Sequence, residues 1–462
     1  MNTRALLDRE EELARLEAAW SAAVRGEPQL AVIWGRRRVG KTFLVSHFAA
    51  GKRSVFFAAT QQAERVELGR LHEAAVTQLG PDVVDLAGGG FGSWEAALRF
   101  FAARADEGLL LVLDEVPYLA GSTPGFASVV QSVWDHLPRG RKLMIVLTGS
   151  AIGTIESILG AGGALRGRPT VAFRLDPVTL LQARTFLPRL DATRLMEAYA
   201  ACGGYPLHLL EWDQDASTHS NLERLAGRPG GILLDDAPGI LREELPAASG
   251  YPRILGAIGR GRTRSSEIAT EAAQRIEHPL EILTRAGFVS RSVPVGAPER
   301  ARPLYVIDDL YLAFWFAVLY SDLANVEAGQ GPAVLARRQP AWGRHLGAVF
   351  EEQARQHAVR LTRAGRLPTD LLVGRWWAEA GQPCEVDVLG LRGNQTHLVG
   401  EAKWQSGKLG LGELRSLMAK SDRTPRLVAS PVLALWGRNG VDEKLRAAGV
   451  LGFSVEDMLR EA

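Results

Sequence analysis

A chain of 462 residues with 54 Lys and Arg against 52 Asp and Glu is too long for one ordinary domain, and its net charge of +2 demands no polyanion partner globally. No stretch is long and apolar enough to span a bilayer, the opening MNTRALLDREEELARL lacks the apolar core of a secretory signal, and Cys202 and Cys384 are too few for a disulfide framework or a metal cluster. A cytoplasmic protein of roughly two to four domains, with no membrane partner, is expected. Arginine does cluster locally, in GRRRVGK, LRGRP and GRGRTR, and those clusters need local explanations.

The first informative stretch is LAVIWGRRRVGKTFLVSHFA (30–49), an apolar run, a loop and then a helical pattern. The loop Gly35-Arg36-Arg37-Arg38-Val39-Gly40-Lys41-Thr42 has the full Walker A spacing. Its glycines let backbone N–H groups wrap a phosphate, and the following helix N-terminus adds partial positive charge. Lys41 is expected to reach the β and γ phosphates, and the Thr42 hydroxyl to ligate Mg²⁺. The three loop arginines either join that cradle or are simply solvated.

GLLLVLDEVPYLAG (108–121) is a continuous apolar run, as in a parallel strand buried on both faces, and it ends in Asp114-Glu115. Asp114 is expected to hold Mg²⁺ through water and Glu115 to polarise the attacking water. KLMIVLTGS (142–150) ends in small hydroxyl residues at the same sheet edge, which makes Thr148 and Ser150 candidates to sense the γ-phosphate. Strand, loop and helix agree on a nucleoside triphosphatase with ATP and Mg²⁺ as cofactors.

LLDREEELARLEAAW, VIWGRRRVGKT, LVLDEVPYL, LTGS, GALRGRPTVAFRLDPV and CGGYPLHLL follow one another as in the archaeal-type ATPase family, of the AAA+-related STAND class, which the chain resembles over essentially its whole length. The resemblance implies that Arg9 and Glu10 lie near the adenine pocket and that Gly204-Tyr205-Pro206 is the lid motif that contacts the nucleotide. It also implies that Arg168 reaches the γ-phosphate as an arginine finger; the alternative for Arg168 is a surface cation or a fold-stabilising ion pair.

After Pro188 the pattern turns helical, as in a lid, up to the Gly/Pro-rich AGRPGGILLDDAPG. YPRILGAIGRGRTRSSEIATEA reads as two helices with Ser265 or Ser266 capping the second, and HPLEILTRAGFVSRSVPVGAPERARPLYVID as a third helix and two strands around a Pro/Gly loop. The third helix offers a mixed, rather acidic set of side chains, so any DNA contact is expected through phosphates, from arginines such as Arg291, Arg300 and Arg302. Folding back as a nucleotide lid is the alternative.

A bulky aromatic helix (310–323) and a linker lead to GRHLGAVFEEQARQHAV, an amphipathic helix carrying Glu351. CEVDVLGLRGNQTHLVGEAKW (384–404) then reads as a hairpin. A three-residue turn, Gly393-Asn394-Gln395, sets Arg392 opposite Thr396 and Asp387 opposite Glu401, with Lys403 on the same face. Val386, Val388, Leu398 and Ala402 fill the other face. Two carboxylates suit Mg²⁺, and a lysine can position water. Asp, then Glu-x-Lys, with GAVFEE and GRWW before it, resembles the PD-(D/E)XK nucleases, whose restriction-endonuclease-like domain also ends members of this ATPase family. That likeness implies Asp387, Glu401 and Lys403 as catalytic residues and Asp387, Glu401 and Glu351 as metal ligands.

The expected class is therefore α/β: a P-loop ATPase domain (1–187) with a parallel sheet, a helical lid (188–245), a winged helix (246–308), a connecting helix and linker (309–342), and a restriction-endonuclease-like α/β domain (343–462). The function expected is an ATP-hydrolysing switch controlling a nuclease-like domain that acts on nucleic acid, DNA ahead of RNA, with further copies of the chain among its partners. The alternative is an ATP-dependent DNA-binding regulator or scaffold whose nuclease-like domain does not cleave.

Overall fold

The apolar runs and the helical patterns between them alternate in the computed structural model as a doubly wound protein requires. Residues 8–80, 90–245, 250–298, 301–378 and 383–460 are described. Two compact units divide at residues 177 and 178.

In the first unit, strands β1 (Gln29–Trp34), β2 (Ser54–Ala58), β3 (Leu109–Asp114), β4 (Leu143–Gly149) and β5 (Val171–Arg174) form one sheet in the order β2-β3-β4-β1-β5. Every pairing is parallel. β3 and β4 are buried from end to end, which explains their unbroken apolar sequences. Helices α1 (Glu10–Val24), α2 (Lys41–Ala49), α3 (Glu64–Leu79), α4 (Trp94–Ala103), α5 (Val116–Ser122), α6 (Phe126–Asp135) and α7 (Ile152–Leu159) connect them. A parallel sheet obliges each connection to return to the strands' N-terminal edge, so the residues just after β1, β3 and β4 gather at the other edge. One core packs Phe57, Trp94, Phe101 and Phe126 against Val32, Leu111 and Ile145, with Trp94 and Phe126 edge to face at 5.1 Å.

The second unit opens with α8 (Leu180–Phe186), α9 (Ala192–Cys202), α10 (Pro206–Leu210), α11 (Thr218–Leu225) and α12 (Ile232–Glu244). α8 was assigned on sequence to the ATPase domain, yet it packs on α9 and α10. α13 (Tyr251–Gly259), α14 (Ser265–Ala272), α15 (Glu277–Arg285) and the antiparallel pair β6 (Val289–Ser292) and β7 (Leu304–Ile307) make the three helices and hairpin of a winged helix. Neither serine caps α14: Arg264 is its N-cap residue, and its N–H donates to Glu267 at 3.3 Å.

The expected linker is helical instead. α16 (Leu310–Phe314) runs through π and 3-10 turns to α17 (Leu323–Asn325) and α18 (Gly331–Arg337), and α19 (Gln339–Arg363) starts before the Gly343 that sequence suggested. Burial is the reason: Val326, Val334, Leu335, Ala341 and Trp342 of that segment are all buried. β8 (Leu372–Ala378), β9 (Cys384–Arg392), β10 (Gln395–Lys403), β11 (Leu427–Gly437) and β12 (Leu451–Phe453) form a mixed sheet in the order β12-β11-β10-β9-β8. α19 packs on β8, β9 and β10, while α20 (Leu411–Ser421) packs on β9, β10 and β11. α21 (Glu443–Ala447) and α22 (Val455–Leu459) complete the chain. The wing reaches this sheet: Val295 N–H donates to the Arg375 carbonyl of β8 at 2.8 Å, and Val295 packs against the sheet's core. Arg300 lies outside the described residues. No described helix is long and apolar enough to cross a membrane.

Candidate functional sites

Two glycines shape the loop between β1 and α2. Gly35 has φ 154°, and a Cβ there would lie 2.1 Å from Leu175 O, so only a bare backbone passes. Gly40 has φ 97° and is the N-cap of α2, which lets the loop turn its amides toward a bound anion. Lys41 is 5% exposed, and its ammonium donates to the Gly35 and Arg36 carbonyls at 2.7 and 2.9 Å. Arg36 is buried with it, Arg37 is half-buried and Arg38 is exposed, so the three loop arginines differ in surroundings. Buried Val39 completes the loop, and its carbonyl is 3.4 Å from an Arg9 guanidinium nitrogen. The same Arg9 nitrogen donates to Asp176 O at 2.7 Å, and the other end of the guanidinium pairs with Glu12 at 3.1 Å. Arg9 thus ties the start of α1 to the loop and to the end of β5.

The acidic half of the site lies at the ends of β3 and β4. Asp114 is 3% exposed, and both its oxygens are engaged by hydroxyls: Thr42 donates to one at 2.8 Å and Thr148 to the other. Neutral donors leave the carboxylate its charge. The Thr42–Asp114 hydrogen bond sets the two side by side, as needed if Thr42 ligates Mg²⁺ and Asp114 holds it through water. Glu115 has left-handed backbone angles (φ 59°, ψ 48°) and accepts the Ser150 N–H and hydroxyl at 3.0 and 2.8 Å. The two hydroxyls expected to sense a phosphate therefore aim at the two carboxylates.

Arg168 makes an ion pair. Its guanidinium holds Asp135 through two hydrogen bonds, at 2.9 and 2.8 Å. Asp135 ends α6, which returns the chain toward the start of β4, and Arg168 directly precedes β5. Both therefore sit at the sheet edge opposite the phosphate loop, so the ion pair is the role the fold supports. Pro206 opens α10 in the second unit, where the Tyr205 hydroxyl donates to Asp309. Gly203 and Gly204 have positive φ and meet Tyr311 N and Val178 O too closely for any side chain.

The second site lies on the C-terminal sheet. The hairpin turn is shorter than expected: Arg392 pairs with Gln395 across Gly393-Asn394. A bulge between Thr396 and Leu398 then shifts the register by one, and Gly400 pairs with Val388, which carries Asp387 and Glu401 to facing positions. Asp387 and Glu401 are 5% and 3% exposed. Asp387 accepts the Ala402 N–H at 3.0 Å. Glu401 is gripped twice: Lys403 reaches one oxygen at 2.6 Å, and Lys420 of α20 reaches both at 2.6 Å.

Among the described residues, the carboxylates able to share a metal ion are Glu351, Glu385 and Asp387, whose oxygens lie within 4.8 Å of one another. That span suits an ion with 2.1–2.4 Å bonds to hard oxygen ligands. Glu351 and Asp387 were expected there. Glu401 was too, but both its oxygens already hold ammonium groups, so a ligand role for it loses support. Burial, then the Asp387 charge, pushes the Glu351 carboxyl up to about 7, against the pull of Arg375 and Arg355. Burial and Glu401 likewise raise Asp387. Burial would lower the Lys403 ammonium, but its bond to Glu401 together with the charges of Glu401, Asp387 and Glu351 outweighs that and raises it. Glu385, which also pairs with Arg375, and Lys420 were missed. Glu385 was detectable two residues before Asp387 on the same strand face; nothing near Lys420 in sequence signals its role.

Residues 6–212 match the family described as an ATPase domain predominantly from Archaea, and residues 315–416 match one described as archaeal and bacterial proteins of unknown function. An uncharacterized protein of Methanocaldococcus jannaschii is 25% identical over 87% of this chain and 88% of its own length. The Walker-type ATPase of Pyrococcus abyssi is 20% identical, with a TM-score of 0.50 over 67% of this chain and 96% of its own, a likeness of fold. The phosphate loop and the parallel sheet agree with the first match: residues 6–212 are similar to archaeal P-loop ATPase domains, and residues 315–416 to the second family.

Proposed function

We propose that the chain is an ATP-driven switch of the STAND type whose second unit carries a metal-dependent, nuclease-like site for nucleic acid. The reading rests on Glu351, Glu385 and Asp387, buried or half-buried carboxylates brought together beside Lys403. In the first unit Lys41 leaves its two carbonyls for the β and γ phosphates, Thr42 and Asp114 hold Mg²⁺, and Glu115 takes a proton from the attacking water once Ser150 releases it. Mg²⁺ supplies charge neutralisation of the phosphates. In the second unit Glu351, Glu385 and Asp387 would hold a divalent ion, which would supply water activation and charge neutralisation, while Lys403 faces the phosphate.

A second reading, a regulator or scaffold whose C-terminal domain binds without cutting, draws on Glu401. Its charge is balanced by lysines without any metal. One assay separates the two: incubate full-length protein with labelled DNA and RNA in Mg²⁺ or Mn²⁺, with and without ATP, beside Asp387→Asn. Cleavage lost in the variant and altered by ATP supports the switch. Binding without cleavage in every condition favours the scaffold.

A further inference from the structure

We infer that Lys420 is the fixed counter-ion of the C-terminal site, holding Glu401 so that Lys403 is free to take a phosphate oxygen of the nucleic acid. The inference rests on the proposed nucleic-acid role of that site. Glu401 accepts from two ammonium groups, and one of them, Lys403, also feels the charges of Asp387 and Glu351. The two lysines are not equivalent. Lys420 engages both Glu401 oxygens, and its side chain is 25% exposed; Lys403 engages one, and its side chain is 45% exposed.

Their anchoring differs in the same sense. Leu414 and Leu417 of α20 are buried in the sheet's core, and Lys420 continues that stripe at helical spacing. Leu411 and Met418 point away, each about half exposed. Glu413 accepts the Gly410 N–H at 2.8 Å and fixes the start of the helix. Lys420 is thus aimed by a packed helix, whereas Lys403 is the last residue of its strand. With Lys420 present, the Glu401 charge is satisfied when Lys403 turns to a phosphate. Without it, Lys403 must stay on Glu401, because a buried carboxylate left alone is costly.

A double-mutant cycle on the full-length chain tests this. The probe is a short single-stranded oligodeoxynucleotide in metal-free buffer, where no cleavage intrudes. Lys403→Ala and Lys420→Ala should each raise Kd about tenfold, the loss of one charge-assisted hydrogen bond. The double variant should bind no more weakly than either single one, since both remove the same ammonium–phosphate contact. Lys420→Arg should restore binding, and unchanged ATP turnover will report an intact fold in the single variants, while the double variant, which leaves Glu401 unpaired, should melt lower. Additive losses, or Lys420→Ala with wild-type affinity, overturn the inference alone. A wild-type chain that binds no oligonucleotide at low salt overturns the nucleic-acid reading, and the inference with it.

Discussion

The two sites solve one problem, a buried carboxylate, in opposite ways. At the ends of β3 and β4, Asp114 receives two hydroxyls, neutral groups that orient it and leave its charge for a cation from outside. At the end of β10, Glu401 receives two ammonium groups and needs no outside cation. Beside it Glu351 and Asp387 share burial that outweighs the pull of the nearby cations, and their carboxyls are pushed up. A carboxylate whose partners are neutral, or absent, marks where a metal belongs; one surrounded by cations marks a structural or substrate-orienting role.

The largest effects should come from the phosphate loop. Lys41→Ala removes the cation meant for the phosphates and should weaken ATP binding on the order of 100-fold or more, measured by equilibrium binding of labelled nucleotide. Wild-type affinity in that variant would break the comparison at its first term. Glu115→Gln should bind ATP normally and hydrolyse it roughly 10²–10⁴-fold more slowly, since only proton transfer is lost.

The second site predicts a dependence on pH. Glu351 has a folded-state pKa of about 7 against 4.5 for the free group, so the folded protein binds the extra proton between those values. Metal-free stability should therefore be full below about pH 4.5 and fall as pH rises toward 7, by on the order of 3 kcal/mol at most. Mn²⁺ should flatten the slope, because a bound cation favours the ionised form. Thermal melting across that range with and without Mn²⁺ measures both, and a slope of the other sign would remove the contrast with Asp114. Asp387→Asn, which eliminates one of the crowded charges, should abolish the Mn²⁺ effect and leave the metal-free protein as stable as before or slightly more so. A large loss of stability would make that carboxylate structural.

Smaller effects test the contacts around the sites. Val295→Pro deletes the N–H that the wing donates to the Arg375 carbonyl and should cost about 1 kcal/mol, read as a lower melting midpoint. Arg168→Ala should be smallest of all. It breaks an exposed ion pair with Asp135, so ATP turnover should hold and melting shift barely above error. Lost turnover would return Arg168 to the phosphates.

The phosphate site was legible because its chemistry is contiguous: Gly35 to Thr42 is one loop, and Asp114-Glu115 ends a run too apolar to be anything but a buried strand. The C-terminal site was half legible. Period-two alternation put Asp387, Glu401 and Lys403 on one face, and the facing of Asp387 and Glu401 came out as expected although the turn did not. A two-residue turn and a bulge together produce the register that a three-residue turn alone would have given.

By itself, then, the sequence determined the strand–loop–helix of the nucleotide site, the parallel sheet and the alternating hairpin, because each is set by neighbours within a few residues. Tertiary structure decided the rest. The pairing of Arg168 with Asp135, the arrival of Lys420 at Glu401, the grouping of Glu385 with Glu351 and the docking of Val295 on β8 all join residues distant in the chain. Such partners are chosen by how helices pack on sheets, and a buried charge takes whichever counter-ion that packing delivers.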